Sequence, residues 1–164
     1  MSGKCTSESG VEKTNYSLVR GILHPTPTKD NTYHGPDIRV SEIESLLKTI
    51  KHKPVYVSHD HKGGAIGFVS SAELDGNKNV VVNLLINDST DQGRRAIDGL
   101  RSSELKGLSL GARNLVTNKG AIYSYIKPLE VSICQEGGRT GSHIEYFTDS
   151  NKIVQMTQHK SQIE

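Results

Sequence analysis

Short apolar runs joined by links too brief to hold a helix are the feature that most limits how this chain can fold. Ala65 to Ser71 follows a Gly63-Gly64 turn. Asp75-Gly76-Asn77 turns the chain into Asn79 to Ile86, and Pro128 lies between the runs at 121–126 and 129–134. A parallel neighbour needs a crossover of a dozen residues or more, so links this short favour antiparallel pairing. Further candidate strands are Tyr16 to Leu23, Val55 to Ser58 after Pro54, Leu105 to Ala112, and His143 to Phe147. The expectation is an α+β fold: a mostly antiparallel β-barrel of six or seven strands flanked by a few helices, rather than a doubly wound sheet.

Two helices have signals of their own. Ser41 and Glu44 form a capping box, and Ile43, Leu46, Leu47 and Ile50 follow as one apolar stripe. Lys48, Lys51, His52 and Lys53 suit the negative end of that helix. Asp88, Ser89 or Thr90 caps a second helix whose stripe is Ala96, Ile97 and Leu100. Three prolines make residues 24–37 a loop, and no internal repeat is present. The expected organisation is a flexible leader over 1–14, a single domain over 15–148 and a polar tail over 149–164.

Composition removes several function classes. A net charge of +2, no long Lys/Arg run and no Trp argue against a nucleic-acid partner. No run nears the ~18 apolar residues of a membrane span, and the first residues lack the apolar core of a secretory signal. Cys5 sits in a polar segment and Cys134 in an apolar one, so no disulfide is expected and the chain reads as intracellular.

Three residues carry candidate chemistry. Ser109 lies inside Gly107-Leu108-Ser109-Leu110-Gly111, where small residues permit close backbone approach to a substrate carbonyl. His59 ends a short strand. Glu130 interrupts an apolar stretch, where an inward carboxylate costs several kcal/mol unless paired, for instance with a histidine. Serine, histidine and carboxylate are the parts of an activated nucleophile, here in the chain order His, Ser, Glu. Gly137-Gly138-Arg139 follows the last strand of the set, where backbone amides can serve an oxyanion. His59 and His61 share a strand face as metal ligands would, yet Cys134 is the only other soft ligand at hand, so no metal is expected. His61 is the rival of His59 for the base.

Taken together, these segments resemble the assemblin-type maturation proteases, the herpesvirus capsid protease and its tailed-phage prohead relatives. Pro54 to His59 with Ile66-Gly67-Phe68-Val69 looks like the family's histidine segment. Gly107 to Leu110 looks like its nucleophile segment, and Leu129 to Cys134 with Gly137 to Gly141 looks like its third-residue strand and oxyanion loop. The likeness spans residues 16–147.

It implies Ser109 as nucleophile, His59 as general base and Glu130 as the group orienting His59. It also implies that the Gly138 amide serves the oxyanion and that Arg139 holds a water there. Herpesvirus enzymes have paired arginines where this chain has Gly138 and Arg139. Glu130 and the compact length bring the chain nearer the phage branch. The implied activity is a serine endopeptidase acting through an acyl-enzyme. Its substrates would be viral scaffold and capsid proteins, and itself, inside the assembling particle in host cytoplasm or nucleus. Homodimerisation is compatible with the family, and no cofactor is needed. The alternative is an inactive relative that serves as a capsid assembly or scaffold protein. A metal-dependent hydrolase using His59 and His61 is the third reading. A base must be uncharged to accept the proton, so activity is expected to rise with pH.

Overall fold

The computed structural model describes residues 15–25, 40–116, 123–138 and 141–156. The leader at 1–14 and most of the loop at 24–37 therefore lie outside the described residues, as does Arg139.

Eight strands and two helices follow in the order β1 (Tyr16–His24), α1 (Val40–Thr49), β2 (Pro54–Val57), β3 (Gly67–Leu74), β4 (Val80–Asn87), α2 (Asp91–Arg101), β5 (Gly107–Val116), β6 (Tyr123–Cys134), β7 (His143–Asp149) and β8 (Lys152–Gln155). One sheet contains all the strands in the order β5-β6-β2-β3-β4-β1-β7-β8. Every neighbouring pair is antiparallel except β2 and β6. The sheet curls into a half-barrel. At one end the curl is closed by the Ile144 amide, which donates to the Lys106 carbonyl at 2.9 Å.

Alternation along the strands puts one apolar face inside the curl. Val19, Val55, Val69, Leu84, Leu108 and Ile133 are fully buried there. α1 adds Leu46, with Ile43 and Leu47 half-buried beside it, and Ile50 is buried directly after the helix. α2 adds Ala96, Ile97 and Leu100, the stripe expected from sequence. Thr90 caps α2 with its hydroxyl, accepting from the Gly93 amide at 3.0 Å. Arg101 ties the far end of the helix to β7 by donating from two nitrogens to Asp149, at 2.7 Å each.

The sequence-based boundaries need four corrections. There are eight strands rather than six or seven, because β8 forms within the stretch expected to be a polar tail. All four β8 residues are exposed, so burial left no apolar pattern to read. The strands expected on either side of Pro128 are a single strand, β6. Ala112 pairs with Pro128 and Gly111 with Glu130, so Leu129 bulges out of register, 41% exposed. A bulge is where a strand tolerates a proline, which has no amide hydrogen to donate. β3 runs from Gly67 to Leu74, later than Ala65 to Ser71. Finally, α1 begins at Val40, which puts Ser41 inside its first turn rather than ahead of it.

Candidate active site

Register brings the outer-face residues of β5 and β6 together. Ser109 faces Ser132, and Gly111 faces Glu130. Tyr56 on β2 stands level with Ser132 on its other side. β2 then ends in a tight reversal. Ser58 and His59 both adopt left-handed backbone, at φ 50° and 59°, and the Asp60 amide donates to the Val57 carbonyl at 2.9 Å. Two consecutive non-glycine residues in this conformation cost about 1 kcal/mol or more each. The reversal lays the His59 ring over the outer face of β5 and β6.

There His59 joins the other two candidates. Its Nε2 lies 3.0 Å from Ser109 Oγ. Its Nδ1 lies 2.5 Å from Glu130 Oε2. The Glu130 side chain is 4% exposed, whereas that of His59 is 42% exposed and Ser109 is half-buried. The carboxylate is thus sealed below the ring while the serine opens to solvent.

A buried carboxylate needs its lone pairs filled. Ser132, fully buried, donates its hydroxyl to Glu130 Oε1 at 2.8 Å. The same Oγ accepts the His59 amide at 2.9 Å. Ser132 therefore holds both the carboxylate and the backbone that carries the imidazole. His61 is drawn to the same acid, with Nε2 3.5 Å from Glu130 Oε2. Its ring stacks on Tyr56 with centroids 4.4 Å apart. His61 thus meets the carboxylate, whereas His59 meets both the carboxylate and the serine.

Two glycines make room for this arrangement. A Cβ at Gly111 would come within 2.2 Å of Glu130 Oε2. A Cβ at Gly138 would come within 2.6 Å of Ser109 Oγ. Gly138 thus lies against the serine, but its amide is already used: it donates to the Leu108 carbonyl at 3.0 Å. The sequence-based assignment of that amide to an oxyanion does not hold in this conformation. The same Leu108 carbonyl also accepts from the Ser142 hydroxyl at 2.6 Å.

Burial pushes the Cys134 thiol up against a smaller lowering by hydrogen bonding with Ser58, and the Glu130 charge adds to the rise. Among the described residues, no group of three or more His, Cys, Asp or Glu side chains could hold a metal ion.

Ser132, Gly111, Tyr56 and the partner role of His61 are what the sequence reading missed. The available signal was the spacing Glu130-Val131-Ser132, which puts the two polar residues of an apolar strand on one face. The arrangement can move a proton from Ser109 Oγ to His59 Nε2 while Glu130 holds the Nδ1 side of the ring.

No family model and no curated protein matches the chain. Solved structures do. The varicella-zoster virus protease is 17% identical with a TM-score of 0.55, covering 83% of this chain and 65% of that one. A KSHV protease in complex with a hexapeptide phosphonate inhibitor is 13% identical with a TM-score of 0.49, covering 83% of this chain and 66% of that one. The chain therefore spans just under two thirds of the length of these proteins. The first likeness establishes an assemblin-like α+β fold.

Proposed function

We propose that this protein is a serine endopeptidase with Ser109 as nucleophile, His59 as general base and Glu130 as the residue that positions and charge-stabilises the ring. The observation that carries this reading is the continuous line from Ser109 Oγ through both ring nitrogens of His59 to a buried carboxylate. With Glu130 accepting from Nδ1–H, Nε2 keeps its lone pair for the serine proton. Ser109 Oγ attacks the scissile carbonyl, and its proton passes to Nε2. The carbon–nitrogen bond then breaks, and the same proton goes to the leaving nitrogen. Water repeats the sequence on the acyl-enzyme.

The oxyanion needs donors. On this proposal the Gly138 peptide turns away from the Leu108 carbonyl to supply one, and Arg139 assists. The fold supports a narrower version: an assemblin-type enzyme, nearer the phage branch by its carboxylate third member. It would cut scaffold and capsid proteins, and itself, within an assembling particle. A second reading is an inactive relative serving as an assembly protein. The engaged Gly138 amide favours that reading, since the donor assigned to the oxyanion is committed to the Leu108 carbonyl.

Fluorophosphonate labelling read by intact mass separates the two. Active protein gains one adduct, which Ser109→Ala removes and His59→Ala strongly slows. Absence of any adduct, even at concentrations that drive self-association, would leave the assembly reading in its place.

A further inference from the structure

The turn that delivers His59 has a second side. Ser58 and Asp60, the residues flanking His59, line a cleft of about 500 Å³ that runs beneath the turn to α2. Its floor is apolar and is made by Val57, Ile66, Ala96 and Leu105. On α2 the lining residues Gln92, Arg95, Ala96 and Gly99 fall at helical spacing, so one face of the helix forms a wall. Gln135, which follows directly on the last residue of β6, lines the cleft as well. The volume is in the range of pockets that hold ligands. Arg95 stands exposed on the wall, and no hydrogen bond or ion pair engages its side chain among the described residues.

Resting on the protease reading, we infer that this cleft binds the leaving-group half of an extended polypeptide substrate. The chemistry of the base fixes the side. His59 Nε2 takes the serine proton and must hand it to the departing nitrogen, so the leaving segment passes on the histidine side of Ser109. The cleft beneath the turn is built in part from both neighbours of His59, so it adjoins the residue that makes this hand-over. An apolar side chain of the leaving segment seats over Val57, Ile66 and Leu105. A main-chain carbonyl of the same segment accepts from Arg95, which carries donors only. Ser58 is left-handed and the Asp60 amide closes the same turn onto Val57, so an occupant of the cleft also braces the backbone that holds the imidazole.

The test uses a synthetic peptide library, with cut sites read by mass spectrometry, and fluorophosphonate labelling alongside. The phosphonate probe has no leaving-side peptide, so it reports the serine without the cleft. Wild type should prefer an apolar residue within the first positions after the cut. Arg95→Glu repels the carbonyl, and Gln92→Trp narrows the cleft from an exposed position. Each should lower library cleavage relative to labelling by about ten-fold and change only the leaving-side preference. The cleft assignment falls if the ratio is unchanged, or if preferences shift on the acyl side instead. If wild type takes no label and cuts nothing, the protease reading itself fails and this inference with it.

Discussion

Placing a carboxylate at 4% exposure costs several kcal/mol unless each oxygen has a partner. Glu130 meets that cost with Ser132 on Oε1 and with His59 and His61 on Oε2. Its charge is thereby committed to the imidazole. Glu130→Gln keeps the shape, but its amide can donate to Nδ1, which favours the tautomer whose Nε2 carries the proton and cannot accept another. Labelling and cleavage should fall by roughly a thousandfold, with the fold retained by circular dichroism. Full activity in this variant would remove Glu130 from the mechanism. Gly111→Ala probes the same carboxylate from the other side. The new methyl lies within van der Waals overlap of Oε2 and Cγ. Glu130 is held at both oxygens, so it must move off the histidine to yield space. Activity should drop by about a hundredfold, with a stability loss of about 1–3 kcal/mol in urea unfolding. At this scale the sequence marked Ser109, His59 and Glu130 as three residues of suitable chemistry, and register explains why they meet. It did not mark Ser132, because a serine in a strand looks like any other until its neighbour across the sheet is known. Nor did it show that the Gly138 amide is engaged, since that depends on a carbonyl thirty residues earlier in the chain.

Elements follow the apolar pattern wherever one face is buried. Both helix stripes read from sequence pack into the core, and β4, read as a continuous apolar run, buries Val80, Val81, Val82, Leu84 and Ile86. Pattern fails where burial stops or register breaks, as in exposed β8 and at the Leu129 bulge. The join between α2 and β7 is equally hidden from sequence, because Arg101 and Asp149 lie 48 positions apart. It also has a pH signature. The Arg101 hydrogen bonds hold the Asp149 carboxyl below its usual range against a smaller opposing effect of burial. A carboxyl lowered in the folded state adds stability above its unfolded pKa and loses it as pH falls through the folded value. Asp149→Asn should therefore cost a small amount of stability near neutrality, and nothing once the carboxyl is protonated in wild type. Urea midpoints measured across the acid range should converge for the two proteins. Parallel curves would show that the pair does not carry the effect.

Across the whole molecule, the candidate site lies where the curled sheet closes on itself. β5 is an edge strand, and its first residues reach β7 rather than a ninth strand. Links across this seam among the described residues include the Ile144 amide to the Lys106 carbonyl, the Gly138 amide to the Leu108 carbonyl, and the Ser142 hydroxyl. Ser142 is buried, and its Oγ lies 2.6 Å from the Leu108 carbonyl and 3.0 Å from that of Ile22. It shares the Leu108 acceptor with the Gly138 amide. If that amide turns toward Ser109 during catalysis, Ser142 is what keeps the Leu108 carbonyl satisfied and the seam shut. Ser142→Ala removes the substitute donor. Stability should fall by about 1–2 kcal/mol, because the one hydroxyl proton that serves these buried carbonyls is lost. Labelling should slow as well, because turning the Gly138 peptide would now strand a buried acceptor. Hydrogen exchange should rise at Gly138 and Ile144 before it rises in β3 and β4. A variant that loses stability but labels at the wild-type rate would show that the seam supports the fold alone. A slowed label with local exchange at Gly138 and Ile144 would tie closure of the half-barrel to the chemistry at its edge.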